Sequence, residues 1–151
     1  MLTSQDRRVT ALDHVFELTV LLHDDMTESL GREGLTLSRA HLLWELRRLG
    51  PATQTALADA LHVSSRTVTG LVDGLVAGGF VTREPHPTDR RAFLVSVTEH
   101  GAAVVKFMEE GQQELAALLF GGMSPRRFDC FTKGLGEVVD RLRNRLLAED
   151  S

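Results

Sequence analysis

Residues 57–75 read Leu57-Ala58-Asp59-Ala60-Leu61-His62-Val63-Ser64-Ser65-Arg66-Thr67-Val68-Thr69-Gly70-Leu71-Val72-Asp73-Gly74-Leu75, two short amphipathic stretches around a turn. Thr53 stands where a helix N-cap belongs, and Leu57, Ala58 and Leu61 give the first stretch its inward face. His62-Val63 makes the turn, and Ser64 is the N-cap of a second helix that runs to about Ala77. Val68, Leu71, Val72 and Leu75 recur at helical steps and form its buried face, before Gly78-Gly79 ends it. Two short helices joined in this way are a helix-turn-helix.

Just downstream the period of the pattern falls to two. Phe80-Val81-Thr82-Arg83 reads as a short strand, and Ala92-Phe93-Leu94-Val95-Ser96-Val97 as a second. Between them, Glu84-Pro85-His86-Pro87-Thr88-Asp89-Arg90-Arg91 has two prolines and a charged tip, the marks of a solvent-exposed hairpin loop. A helix pair followed by such a hairpin is a winged helix. The expected fold is therefore mainly α, with a small β-hairpin wing.

Upstream, Val9, Leu12, Phe16, Val20, His23, Met26 or Thr27, and Leu30 mark one long helix over 5–31, ended by Gly31 and Gly34. A second helix spans about Ser38 to Leu49, with Thr36 or Ser38 as cap, Leu42, Leu43, Leu46 and Leu49 as its stripe, and Gly50-Pro51 as its stop. Beyond the wing, Thr98 caps a long helix through Val104, Val105, Met108, Leu115 and Leu119. After Gly121-Gly122, Ser124-Pro125 starts a last helix carrying Phe128, Phe131, Leu135, Val138, Leu142 and Leu146. These terminal helices hold more apolar surface than the middle can cover, so they need one another or a second copy of the chain. A two-fold dimer is the commonest solution. The expected division is a dimerisation helix over 1–36, a winged helix-turn-helix domain over 37–98, and dimerisation helices over 99–151.

The chain has 151 residues, 42% of them hydrophobic, the size of one domain or of two interlocked halves. No apolar run approaches a membrane span. Asp6, Arg7, Arg8, Asp13 and Glu17 stand where a signal peptide needs an apolar stretch, so the expected location is the cytoplasm. A single cysteine, Cys130, excludes an internal disulfide framework and a Cys-rich zinc site. The net charge of -4 argues against a nucleic-acid binder, but its distribution softens the objection. Residues 1–37 hold three Arg against seven acids, and residues 92–151 seven Lys/Arg against nine acids. Residues 38–91 hold seven Arg against five acids and are the only positive segment.

Over nearly its whole length the sequence resembles the MarR family of winged helix-turn-helix regulators. The resemblance rests on residues 57–64 and 67–75 quoted above, on Gly79-Phe80-Val81, on Pro87-Thr88-Asp89-Arg90-Arg91, and on Leu94-Val95-Ser96-Val97-Thr98-Glu99-His100-Gly101. In the family's wing pattern, Asp89, Arg91, Thr98 and Gly101 match, with Val97 in a position usually held by Leu. The resemblance implies a triangular homodimer on double-stranded DNA at a pseudo-palindromic operator, most often a repressor released by a small-molecule effector. No cofactor and no resident metal are expected.

On this reading the helix of 64–77 lies in the major groove, where base edges carry distinct donor and acceptor patterns. Its outward face is Ser65, Arg66, Thr67, Thr69, Gly70 and Asp73. Arg66 is placed to reach guanine O6 and N7, while Ser65, Thr67 and Thr69 suit phosphate or base contacts. Ser64 either joins them or simply caps the helix. Gly70 and Gly74 stand where many relatives are basic, so they mark drift, tight helix packing or close approach to the DNA backbone. The resemblance places Arg91 in the minor groove, with Asp89 orienting that arginine or bracing the hairpin and Arg90 on a phosphate. Arg39, Arg47 and Arg48 either touch phosphates or pair with acids such as Glu45.

Rival readings are weaker. His23-Asp24 resembles the metal-binding pair of phosphohydrolases, but no second such pair exists, so an enzyme is not expected. A metal-responsive regulator would draw on His23, Asp24, Glu33, His41 and His100, whose spacing is not diagnostic. A redox-responsive one would use Cys130, which reads as a helix-packing residue. A winged helix used only for protein contacts is disfavoured by the arginine-tipped wing. For an effector pocket the candidates are Phe16, His23, His41, Trp44 and Arg47, with His41 or Arg47 holding a carboxylate, although Trp44 reads more readily as core.

Overall fold

The computed structural model describes Met1 and residues 3–149. Its elements run α1 (Ser4–Arg32), α2 (Leu37–Leu49), β1 (Ala52–Thr53), α3 (Gln54–Leu61), α4 (Ser65–Ala77), β2 (Val81–Pro85), β3 (Phe93–Val97), α5 (Glu99–Phe120) and α6 (Pro125–Glu149). Two compact units share them, one from Met1 to Phe107 and one from Met108 onward.

Each helix of the described residues starts at a Ser or Thr whose hydroxyl accepts an otherwise orphaned backbone N–H. Thr36 accepts from Arg39, Thr53 from Ala56, Ser64 from Thr67, Thr98 from Gly101 and Ser124 from Arg127. At α1, Thr3 and Asp6 form a reciprocal capping box. The Thr3 hydroxyl, and then its backbone N–H, hold the Asp6 carboxyl below the usual carboxylate range. That depressed pKa favours the folded cap above the ordinary carboxyl pKa, and the benefit is lost as pH falls through the lowered value.

The core of the first unit gathers where α2, α3, α4 and the sheet meet. Leu42, Leu43, Leu46, Leu57, Val68, Val72, Leu75, Val81, Val95 and Val105 are fully buried there. Leu61 and Leu71 are only half-buried and Leu49 is exposed, because each lies at the margin of its helix's apolar stripe.

The sheet has three strands in the order β1-β3-β2, all antiparallel. Sequence periodicity shows only the hairpin. After α2, Gly50 at φ 76° turns the chain and Pro51 keeps it extended, so Ala52 and Thr53 pair with Val95 and Leu94. Two residues are too short for a period to register. The first strand of the hairpin sits one to two residues later than expected, and the second starts one residue later but ends at Val97 as expected. Glu84 and Pro85 belong to edge strand β2, where a proline at the end costs no ladder bond. Phe80 precedes the strand as a buried corner residue.

That corner is held tightly. The Phe80 carbonyl accepts from the Thr98 backbone N–H (3.0 Å), and the Thr98 hydroxyl donates to the Gly79 carbonyl (2.6 Å) or to that of Phe80 (3.0 Å). The Phe80 ring stacks on His100 with centroids 4.8 Å apart. Gly101 is buried against the Phe80 carbonyl so closely that a Cβ would collide with backbone.

In the second unit, Phe120 packs on Phe128 and Phe131, with centroids 5.7 Å apart in both cases. None of the α6 residues is buried. Phe128, Phe131, Leu135, Val138, Val139, Leu142 and Leu146 form an exposed apolar stripe at helical spacing.

The Gly101→Ala variant is expected to unfold about 1–3 kcal/mol more easily, the usual cost of overpacking against an immovable group. Urea titration followed by circular dichroism measures it, and wild-type stability would mean that the corner can yield.

Candidate nucleic-acid interface

Burial of Val68, Val72 and Leu75 sets the rotation of α4 and leaves Ser65, Arg66, Thr67, Thr69, Gly70 and Asp73 exposed on its other side. Several of these groups are already engaged. Ser64 Oγ accepts the Thr67 N–H at 3.1 Å and lies 3.0 Å from Thr67 Oγ1. The Thr69 hydroxyl donates to the Ser65 carbonyl (3.0 Å) and accepts from Gln54 Nε2 (3.1 Å). What Thr69 has left to offer a partner is chiefly its methyl group.

The wing is braced from within. His86 Nδ1 accepts backbone N–H bonds from Asp89 (3.0 Å) and Thr88 (3.2 Å), which requires that nitrogen to be unprotonated. The Asp89 Oδ1 accepts the Arg91 backbone N–H at 3.0 Å, an Asx-type turn. Of the two roles open to Asp89, the geometry displays bracing. Arg66, Arg90 and Arg91 are exposed, and among the described residues none has a carboxylate partner for its guanidinium.

Sequence reasoning missed Arg83. From β2, its Nη2 donates to Asp73 Oδ1 on α4, and its Nε donates to Gln54 Oε1 on α3 at 3.1 Å. Gln54 in turn donates to Thr69, so Arg83, Gln54, Thr69 and Asp73 tie α3, α4 and β2 together at the exposed edge of the core. The partners lie 10 and 29 residues from Arg83, and no local pattern links them. The two glycines of α4 also separate. Around Gly70 there is open space, whereas the Arg39 guanidinium lies where a side chain at Gly74 would begin.

The five effector-pocket candidates do not share one cavity within this unit. Phe16 and His23 are exposed on α1, with His23 Nδ1 3.7 Å from Asp24 Oδ1. Trp44 is half-buried. His41 lines a cleft of about 140 Å³ with Ser38, Leu61, Val63, Thr67 and Leu71. Arg47 lines another of about 260 Å³ with Leu46, Gly50, Pro51, Ser96, Val97 and Ala102. Arg48 pairs with Glu45 at 2.7 Å. Among the described residues no three His, Cys, Asp or Glu side chains gather as metal ligands, and Cys130 is an exposed thiol on α6. No helix among those residues is long and apolar enough to cross a membrane.

Comparison with known proteins agrees with this geometry. Residues 35–93 match the MarR family. The transcriptional repressor YetL of Bacillus subtilis is 29% identical over 133 residues, 85% of this chain and 78% of YetL. The uncharacterised regulator YpoP of the same organism is 30% identical over 111 residues, 74% of this chain and 72% of YpoP. Against several other curated relatives the match spans a little over half of their length. Among solved structures, MepR of S. aureus in complex with DNA superposes with a TM-score of 0.70 at 20% identity, over 87% of this chain and 97% of MepR. That likeness establishes the fold. The relatives are transcriptional regulators and not enzymes.

Arg83→Met should remove the tie between wing and helix at a cost of about 1 kcal/mol, since Asp73 is largely exposed and screened. Amide hydrogen exchange is expected to rise within 69–77, and unchanged protection there would show that the core alone fixes α4.

Proposed function

Because the chain belongs to the MarR family of winged helix-turn-helix transcriptional regulators, we propose that it binds double-stranded DNA as a homodimer and represses adjacent genes. One observation carries this reading. Arg66 on α4 and Arg90 and Arg91 on the wing are exposed cations that have no carboxylate partner among the described residues, although the protein as a whole is acidic. Unpaired guanidinium groups suit bidentate contact with phosphate and guanine.

In the proposed complex α4 enters the major groove, with Arg66 on a guanine edge and Ser64, Ser65, Thr67, Thr69 and Gly70 against bases or backbone. Arg91 reaches into the minor groove, Arg90 meets a phosphate, and Asp89 holds the turn that presents both. A pseudo-palindromic operator follows from two copies related by a two-fold axis. The dimer is supported by the exposed apolar stripe of α6 and by Val9, Leu12, Phe16 and Val20 on α1. Patches of that kind are rarely left open on soluble monomers. On this reading residues 1–36 and 99–151 dimerise, 37–98 bind DNA, and the protein works in the cytoplasm.

Repression is supported by the name of the relative YetL. For release by a small molecule the residues to vary are His41 and Arg47, which line two separate clefts beside α2.

Arg91→Ala is expected to weaken binding to a duplex selected from a random library at least about tenfold, in the range of a lost charged or base-reading contact. A gel-shift titration reads this, and undiminished affinity would remove the wing from the interface. Sedimentation is expected to give a particle of two chains, with Leu142→Glu driving it toward one. A monomeric parent protein would refute the dimer.

A further inference from the structure

The recognition helix is poor in cations. Arg66 is its sole basic residue, and Gly70 and Gly74 follow at four-residue steps along the same stripe. A helix in the major groove has a phosphate row on each flank, so a stripe without cations there leaves backbone contacts unmade. The surroundings of Gly74 show how this chain can make one. A methyl at Gly74 would stand 2.5 Å from Cζ and 2.6 Å from Nη2 of Arg39, and closer still to Nε. The guanidinium of Arg39, from the first turn of α2, is thus laid over the α4 backbone in the space that glycine leaves free. Among the described residues no carboxylate pairs with it, in contrast to Arg48 and Arg83. Arg39 is half-buried, and the end of its side chain is the part that meets α4.

We infer that Arg39, seated on Gly74, is a DNA backbone-phosphate contact that α2 lends to the recognition helix. The stripe then reads Arg66, open backbone at Gly70, and the borrowed cation at Gly74. The spacing from residue 66 to residue 74 is about 12 Å along the helix axis, from the ordinary rise per residue. Glycine at 74 is explained as a seat, and the inference rests on the DNA-binding reading above.

The test uses the full-length protein, a duplex selected from a random library, and titrations at several salt concentrations. Arg39→Gln is expected to weaken binding about threefold to tenfold and to lower the slope of log affinity against log salt by about one per chain. Arg39→Lys should restore most of the slope. Gly74→Ala should leave the thermal midpoint unchanged or raised, because alanine favours the helix and only the end of a flexible side chain must move. It should nonetheless weaken DNA binding, by displacing Arg39. Added to Arg39→Gln it should cost nothing further, since the displaced group is already gone. A purely structural Arg39 would lower stability and leave the salt slope intact, which overturns the inference. Equal losses from Gly74→Ala in both backgrounds would mean that the methyl itself strikes DNA, which also overturns it. If the unaltered protein selects no duplex and shows no salt-sensitive binding, the parent reading falls, and this one with it.

Discussion

Val68, Val72 and Leu75 have no solvent-accessible surface, and the rest of the exposed architecture is arranged around that fact. They press α4 against α2 and α3, and at 3.6 residues per turn three buried positions fix which residues face outward. Rotating α4 by a single residue would put Val68 and Val72 in water and bury Asp73 or Thr69. Each fully buried valine or leucine side chain is worth about 1.5–3 kcal/mol, well above what the polar ties at the helix surface contribute. Hydrophobic burial therefore sets the orientation of α4. The Arg83, Gln54 and Asp73 bonds then sharpen it.

The second constraint is the corner at Phe80. Its carbonyl meets the Thr98 N–H and leaves room for nothing larger than glycine at 101, so the end of α4, the root of the wing and the first turn of α5 touch through backbone. Contacts of this kind have no soft side chain to absorb a displacement. A shift of the first turn of α5 is thus passed directly to the segment between the recognition helix and the wing.

Charge pairing engages some arginines and leaves others open. Arg32, Arg48, Arg83, Arg143 and Arg145 each hold a nearby carboxylate, and their charge is largely spent within the fold. Arg39, Arg66, Arg90 and Arg91 have none among the described residues and fall in the segment with positive net charge, whereas Arg7, Arg8, Arg126, Arg127 and Arg141, which also have none, stand in the acidic segments on either side. An acidic protein can bear a cationic face in this way, because local potential depends on which charges are left uncompensated.

The helices, their Ser and Thr caps, the turn at His62-Val63 and the wing were legible in the sequence, because each is written in short-range pattern. Caps sit three residues from the N–H groups they accept, and amphipathic stripes recur every three or four residues. The wing was displaced by a residue or two because strand ends follow the pairing partner and not the propensity of single residues. Strand β1, the Arg83 network and the seat of Arg39 on Gly74 were not legible, since each joins residues far apart in the chain. Gly74 illustrates the division. From sequence alone it is a helix-weakening residue with several explanations, and only the packing of α2 across α4 shows that a guanidinium occupies its missing side chain. The segment from Leu57 to Leu75 by itself determined that there is a helix-turn-helix and which face of it is buried. The tertiary structure decided which exposed polar groups are already engaged, and so which are left for a partner, because hydrogen bonds and ion pairs depend on distance in space.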